Sequence, residues 1–172
     1  MRYTNFSAAM VATLAILFAV PAFADNQSIP ADKPVVTLDV PSNWESNALD
    51  NGIVANSPDD ATLVVVVTTD ADSDKATNDL MAALKKNNLV LDDSSKKEDS
   101  GEGDLDGNHV KAKTVTYKGK DDAGNAGAVI QVYELDKHPD QTVIVAYRLG
   151  AKSTKADADA NAAIMNSIHF TP

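Results

Sequence analysis

The sequence predicts an α+β protein built on an antiparallel β-sheet flanked by two main helices. Three observations carry this. Leu63-Val64-Val65-Val66-Val67 is apolar on both faces, the pattern of a central strand covered on each side. Two segments, one around Leu80 and one around Ile164, repeat apolar residues at helical spacing. Between them lie four extended stretches joined by connections of hairpin length, which favours antiparallel neighbours over parallel crossovers.

The chain opens with an export signal. Arg2 gives a positive start, Ala8 to Val20 is almost unbroken apolar sequence, Pro21 breaks it, and Ala22-Phe23-Ala24 is the small-x-small pattern a signal peptidase reads. The run is short for a membrane span and lacks a basic flank, so cleavage after Ala24 is expected, leaving residues 1–24 as signal peptide. Residues 25–34 are polar with two prolines and read as a disordered leader. A single domain is expected over 35–172.

Within that domain Val36, Leu38 and Val40 alternate with Thr37 and Asp39, a half-buried strand stopped by Pro41. Gly52 to Ser57 is a second strand, closed by the Ser57-Pro58-Asp59-Asp60 turn. Thr62 to Thr69 is the central one. Thr77, Leu80, Met81, Leu84 and Asn88 form the stripe of the first helix, with Ser73 or Asp74 as N-cap and Lys85-Lys86 near its carboxyl end. Leu89 to Lys97 resumes extended structure, and Glu98 to Gly107 reads as an exposed turn or loop. Asn108 to Lys118 is a strand whose apolar face changes between Ala112 and Val115, which predicts a bulge there. Gly119 to Gly127 reads as a hairpin connection to Ala128 to Leu135, and Thr142 to Leu149 is the last long strand. Ser153 to Ile168 is the second helix, with Ala156, Ala160, Ala163, Ile164 and Ile168 on one stripe.

Composition narrows the function classes. The 172 residues carry 15 basic and 25 acidic side chains and no cysteine. Removing the first 24, which hold Arg2 and no acid, leaves 148 residues with 14 basic and 25 acidic side chains, a formal charge of −11. Nucleic acids and anionic lipids call for the opposite sign, so neither is expected as a partner. Without cysteine there is no residue to carry a lipid anchor, no thiolate chemistry and no disulfide; burial and hydrogen bonding must hold the fold.

The strand ending Val40-Pro41-Ser42-Asn43-Trp44, the strand ending Ser57-Pro58-Asp59, the strand apolar on both faces, the helix, the antiparallel run and the closing Ile164-Met165-Asn166-Ser167-Ile168-His169-Phe170 together resemble the PsbP-like superfamily. The bacterial exported DcrB-like proteins belong to that group. The resemblance implies an α/β/α sandwich used as a non-enzymatic binding or assembly module. Plant and cyanobacterial members attach to a photosystem, a eukaryotic relative binds a small GTPase, and DcrB-like members sit in the bacterial envelope. It therefore implies a protein or small-ligand partner in the cell envelope, and it supplies no catalytic residues.

Candidate sites are few. Asp70-x-Asp72-x-Asp74 imitates the start of a calcium loop, but Lys75 stands where glycine is needed and Met81 where a bidentate acid is needed. Asp104-x-Asp106-Gly107-Asn108 and Asp157-x-Asp159-x-Asn161 invite the same reading with the same objection. His109, His138 and His169 lack the spacing of a helical metal pair. There is no Gly-x-Ser-x-Gly elbow and no phosphate-binding glycine loop, so no cofactor is expected. A hydrolase assembled from distant residues or a Ca²⁺-responsive module are the alternatives. Trp44, the sole tryptophan, should lid one end of the core. Tyr117, Tyr133 and Tyr147 fall on neighbouring strands, and if they share one exposed face they are, with Trp44, the candidate binding residues.

Overall fold

The computed structural model describes residues 24–70, 77, 80, 81, 84 and 89–172. They form ten strands: β1 (Ala24–Ile29), β2 (Val36–Pro41), β3 (Glu45–Leu49), β4 (Gly52–Asn56), β5 (Thr62–Thr69), β6 (Val90–Leu105), β7 (Asn108–Asp121), β8 (Gly124–Leu135), β9 (Thr142–Leu149) and β10 (His169–Phe170). One helix is described in full, α1 (Lys155–Asn166). Seven strands make an antiparallel sheet in the order β3-β4-β5-β9-β8-β7-β6, and β1-β2-β10 make a second, three-stranded antiparallel sheet.

The expected sheet flanked by two main helices is therefore corrected to a mostly β fold of two sheets and one complete helix. Thr77, Leu80, Met81 and Leu84 are helical where the first helix was expected, while the rest of that segment, including Ser73, Asp74 and Asn88, lies outside the described residues. The segment expected as a leader, 25–34, overlaps β1 (Ala24–Ile29). β1 pairs with β2 from Ala24↔Pro41 to Ile29↔Val36, and Val35 N–H closes the turn on Ile29 O at 2.8 Å. Its polar side chains hide it from any hydrophobic period, but the backbone ladder to β2 forms regardless.

Alternation along β5 and β9 explains the layering. Val64, Val66, Val143 and Val145 point into one core with Ile29, Val36, Leu38, Trp44, Ile164 and Phe170, so the three-stranded sheet and α1 cover that face. Leu63, Val65, Ile144 and Ala146 point into the opposite core with Leu80, Leu84, Leu91 and Ile130. Burying both faces of a strand needs apolar residues at every position, which is what Leu63 to Val67 supplies.

α1 begins at a capping box: Thr154 Oγ1 accepts the Asp157 N–H at 3.3 Å while Asp157 Oδ2 accepts the Thr154 N–H at 2.7 Å. Its buried side is Asn161 and Ile164, with Ala160 and Ile168 at the margin. Ala156 and Ala163, expected on the buried stripe, are exposed.

Glu98 to Gly107, expected as a loop, is mostly strand. β6 pairs with β7 as far as Leu105↔Asn108, and the turn itself is Asp106-Gly107, both at positive φ (52° and 75°). That is the backbone of a two-residue hairpin turn, for which Asp-Gly is the favoured sequence. The expected bulge between Ala112 and Val115 is absent: β7 keeps continuous register with β8, and the irregularity lies on β6 between Asp92 and Lys97. Ala112 and Val115 simply serve different faces, Ala112 opposite Tyr133 and Val115 opposite Ile130.

Candidate functional site

Register decides which aromatic residues meet. Tyr133 lies opposite Val143 and Tyr147 opposite Val129, so both project from the same face of the large sheet and pack, half-buried, against the core beneath the small sheet. Tyr117 lies opposite Ala128, projects from the other face, and is buried at 8% exposure. The expected trio is thus a pair, with Tyr117 a core residue beside Leu80 and Leu84. Trp44 is 7% exposed and fills the core, its N–H closing the turn on Pro41 O at 2.9 Å.

Tyr133 is held firmly. Its ring lies 5.2 Å from that of Phe170 at 57°, a tilted contact, and its hydroxyl donates to Gln131 Oε1 at 3.0 Å. Burial, with a smaller contribution from Tyr147, pushes its phenol pKa up; burial does the same for Tyr147. Both are neutral hydrogen-bonding groups at neutral pH, suited to holding a ligand and not to acting as a base.

Two of the three acidic motifs are used structurally. Asp70 is exposed at the end of β5, and Asp72 and Asp74 lie outside the described residues. Asp106 bonds the backbone N–H of Phe170, Asp157 completes the helix cap, and Asp159 pairs with Lys155 at 2.5 Å. Among the described residues no three His, Asp or Glu side chains are grouped as metal ligands.

One concavity among the described residues was not foreseen from the sequence. A groove of about 770 Å³ runs past the ends of β7, β8 and β9, on the side where Lys111 and Glu134 stand opposite each other. Lys111, Glu134, Asp136 and Asp140 supply its charges and His138 an imidazole, with Asp70 also lining it. A shallower hollow of about 360 Å³ continues over Lys111 and Glu134 toward Ser100 and Glu102. The His138-Pro139-Asp140 turn was legible; its meeting with Lys111 needed the register of two hairpins. Within the groove His138 Nε2 faces the Thr171 carbonyl at 3.1 Å. A carbonyl only accepts, so Nε2 carries the proton and Nδ1 is left to serve as acceptor or second donor. His109 and His169 pair outside the groove with Asp104 (3.2 Å) and Asp106 (3.3 Å). Chemically the groove presents one cation among several carboxylates, a lining for a polar ligand with hydrogen-bond donors or positive charge.

No family model matches the chain, and no curated protein matches it in sequence. Solved structures do. LpqN of Mycobacterium tuberculosis, a protein involved in cell envelope biogenesis, is 16% identical, with 87% of this chain and 92% of LpqN covered at a TM-score of 0.50. A Mog1 variant is 12% identical over 86% of this chain and 96% of its own, at a TM-score of 0.45. A protein from Bacteroides thetaiotaomicron is 6% identical over 80% of this chain and 46% of its own, at 0.44. At such identities the likeness is one of fold, and the chain is similar in fold to LpqN over nearly the whole of both.

Proposed function

We propose that this protein is an exported binding module of the bacterial cell envelope, of the PsbP-like and DcrB-like kind, that holds a protein or small polar ligand and performs no catalysis. The groove carries this reading: Lys111, Glu134, Asp136, His138 and Asp140 converge on one concavity with hydrogen-bonding and charged groups of both signs. Its histidine is anchored through Nε2 on the Thr171 carbonyl, which leaves Nδ1 to hydrogen-bond a ligand. Support for the setting comes from the signal at residues 1–24 and from the fold shared with LpqN, itself involved in envelope biogenesis. Cleavage after Ala24 would leave the β1 ladder intact from Asp25↔Val40 onward. Intact-mass analysis of the exported protein tests the address: a species keeping Met1 to Ala24 would refute it. Photo-crosslinking from position 111 or 134 in the native envelope, compared with position 163 on the exposed side of α1, tests the site. Products specific to the groove positions are expected, and equal products from position 163 would refute a groove-centred module.

A further inference from the structure

We infer that the outer edge of β6 is a docking strand for an extended, cationic segment of a partner protein, which adds to the large sheet as an eighth strand. The inference does not depend on the groove taking a ligand, because it rests on the backbone edge of β6, although the hollow beside the groove reaches Ser100 and Glu102.

β6 ends the seven-stranded sheet and is exposed from Lys96 to Leu105, with no proline to interrupt it. In an antiparallel pair, residues alternate between those that bond the neighbouring strand and those whose N–H and C=O point away from it. Leu105 and Asn108 flank the two-residue turn and so form a bonded pair, which assigns Asp99, Gly101 and Gly103 to the β7 ladder and turns Glu98, Ser100, Glu102 and Asp104 outward. Ser100 agrees: its N–H donates to the Asp99 carboxylate at 3.0 Å instead of to β7. Four residues thus turn a row of backbone donors and acceptors outward, with the Ser100 N–H to be released from the exposed Asp99 carboxylate when a strand adds, the template used in β-strand addition.

The side chains select the occupant. Glu98, Glu102 and Asp104 stand on one face of this row, and Asp99 projects from the other. A second copy pairing through β6 would set carboxylate against carboxylate, which opposes self-association. A segment with Lys or Arg at alternate positions would set opposite charges across the new ladder. On the other face, a Cβ added to Gly101 or Gly103 would meet nothing within 4 Å, so the partner's intervening side chains have open space there. Lys96 and Lys113 already engage Glu98, and His109 stands 3.2 Å from Asp104 but 3.9 Å from Glu102, so Glu102 is the least engaged of the three and the main anchor, with Asp104 beside it.

The test uses a capped peptide of about ten residues alternating lysine with threonine, long enough to span the row. Saturable binding to the full mature protein below about 1 mM is expected, with slowed amide exchange at Ser100, Glu102 and Asp104 and little change at Gly101 and Gly103. Ser100→Pro removes an outward donor without touching the β7 ladder, and Glu102→Lys with Asp104→Lys reverses the charge; each should weaken binding by about tenfold or more. The same peptide N-methylated at alternate residues should lose binding to the unaltered protein, which keeps the test decisive if a variant misfolds. Equal binding by the N-methylated peptide, or by one of the same composition with its lysines in a block, would mean surface charge alone and overturn the inference. So would an absence of binding, or self-association abolished by Ser100→Pro, which would make the occupant a second copy.

Discussion

Asp106 and Phe170 tie the two sheets together. Oδ2 of Asp106, in the β6–β7 turn of the large sheet, accepts the backbone N–H of Phe170, in β10 of the small one, at 2.9 Å across 64 residues of sequence. Its Oδ1 lies 3.3 Å from His169 Nδ1, and Asn108 and His138 both reach the Thr171 carbonyl two residues beyond that histidine. The chain's closing residues are thus held from the β2 side by a ladder and from the other by a turn and a loop.

Asp106→Ala should therefore destabilise the protein by about 1–3 kcal/mol, the usual cost of leaving a buried donor unpaired. Asp106→Asn should cost less, since asparagine also tolerates a φ of 52° and can still accept the Phe170 N–H. Denaturant melts of both variants check the order; equal losses would mean that the carboxylate's charge, and neither the accepted bond nor the turn conformation, is what counts.

Acid should weaken the fold through Asp121 among others. Its carboxyl is held below the usual 3.8 first by the Ala151 N–H, then by the N–H groups of Ala123 and Gly124 and the charge of Arg148, against a desolvation that opposes them. A carboxyl with a depressed folded-state pKa contributes fully above its unfolded value and loses that contribution as pH falls through the folded one. Stability should accordingly fall below about pH 4. Asp121→Asn should be less stable at neutral pH but lose less on acidification, and a parallel acid limb in both proteins would refute the assignment.

Ile164 is 1% exposed beneath α1. Ile164→Ala should cost about 2–5 kcal/mol and Ile164→Asp more, as an uncompensated charge in the interface. A thermal midpoint barely changed by Ile164→Asp would show that α1 does not close the core.

Calcium should matter little. Asp70 is exposed, and the sequence that follows lacks the glycine and closing acid of a calcium loop. Melts of the mature protein in excess chelator and in about 0.1 mM CaCl₂ should give nearly the same midpoint, because a site of millimolar affinity adds well under about 1 kcal/mol there. A large rise abolished by Asp72→Asn would make the calcium module the better reading.

The strands that bury side chains are legible in the sequence. β2, β4, β5, β8 and β9 announce themselves by apolar alternation or an unbroken apolar run, α1 by its spacing, and Trp44 by its place after Pro41. The edges come from the tertiary fold. β1, β3, β10 and β6 beyond Lys97 are polar or short stretches made into strands by backbone bonds to distant partners, and a polar residue on an edge leaves no period to read. It also decided the faces: a strand's side chains alternate, so whether Tyr117 joins Tyr133 and Tyr147 turns on a one-residue register that spacing along a single strand does not contain. For the same reason the groove, where Lys111 of β7 meets Glu134 of β8 and the turn at His138, exists only once two hairpins are in register.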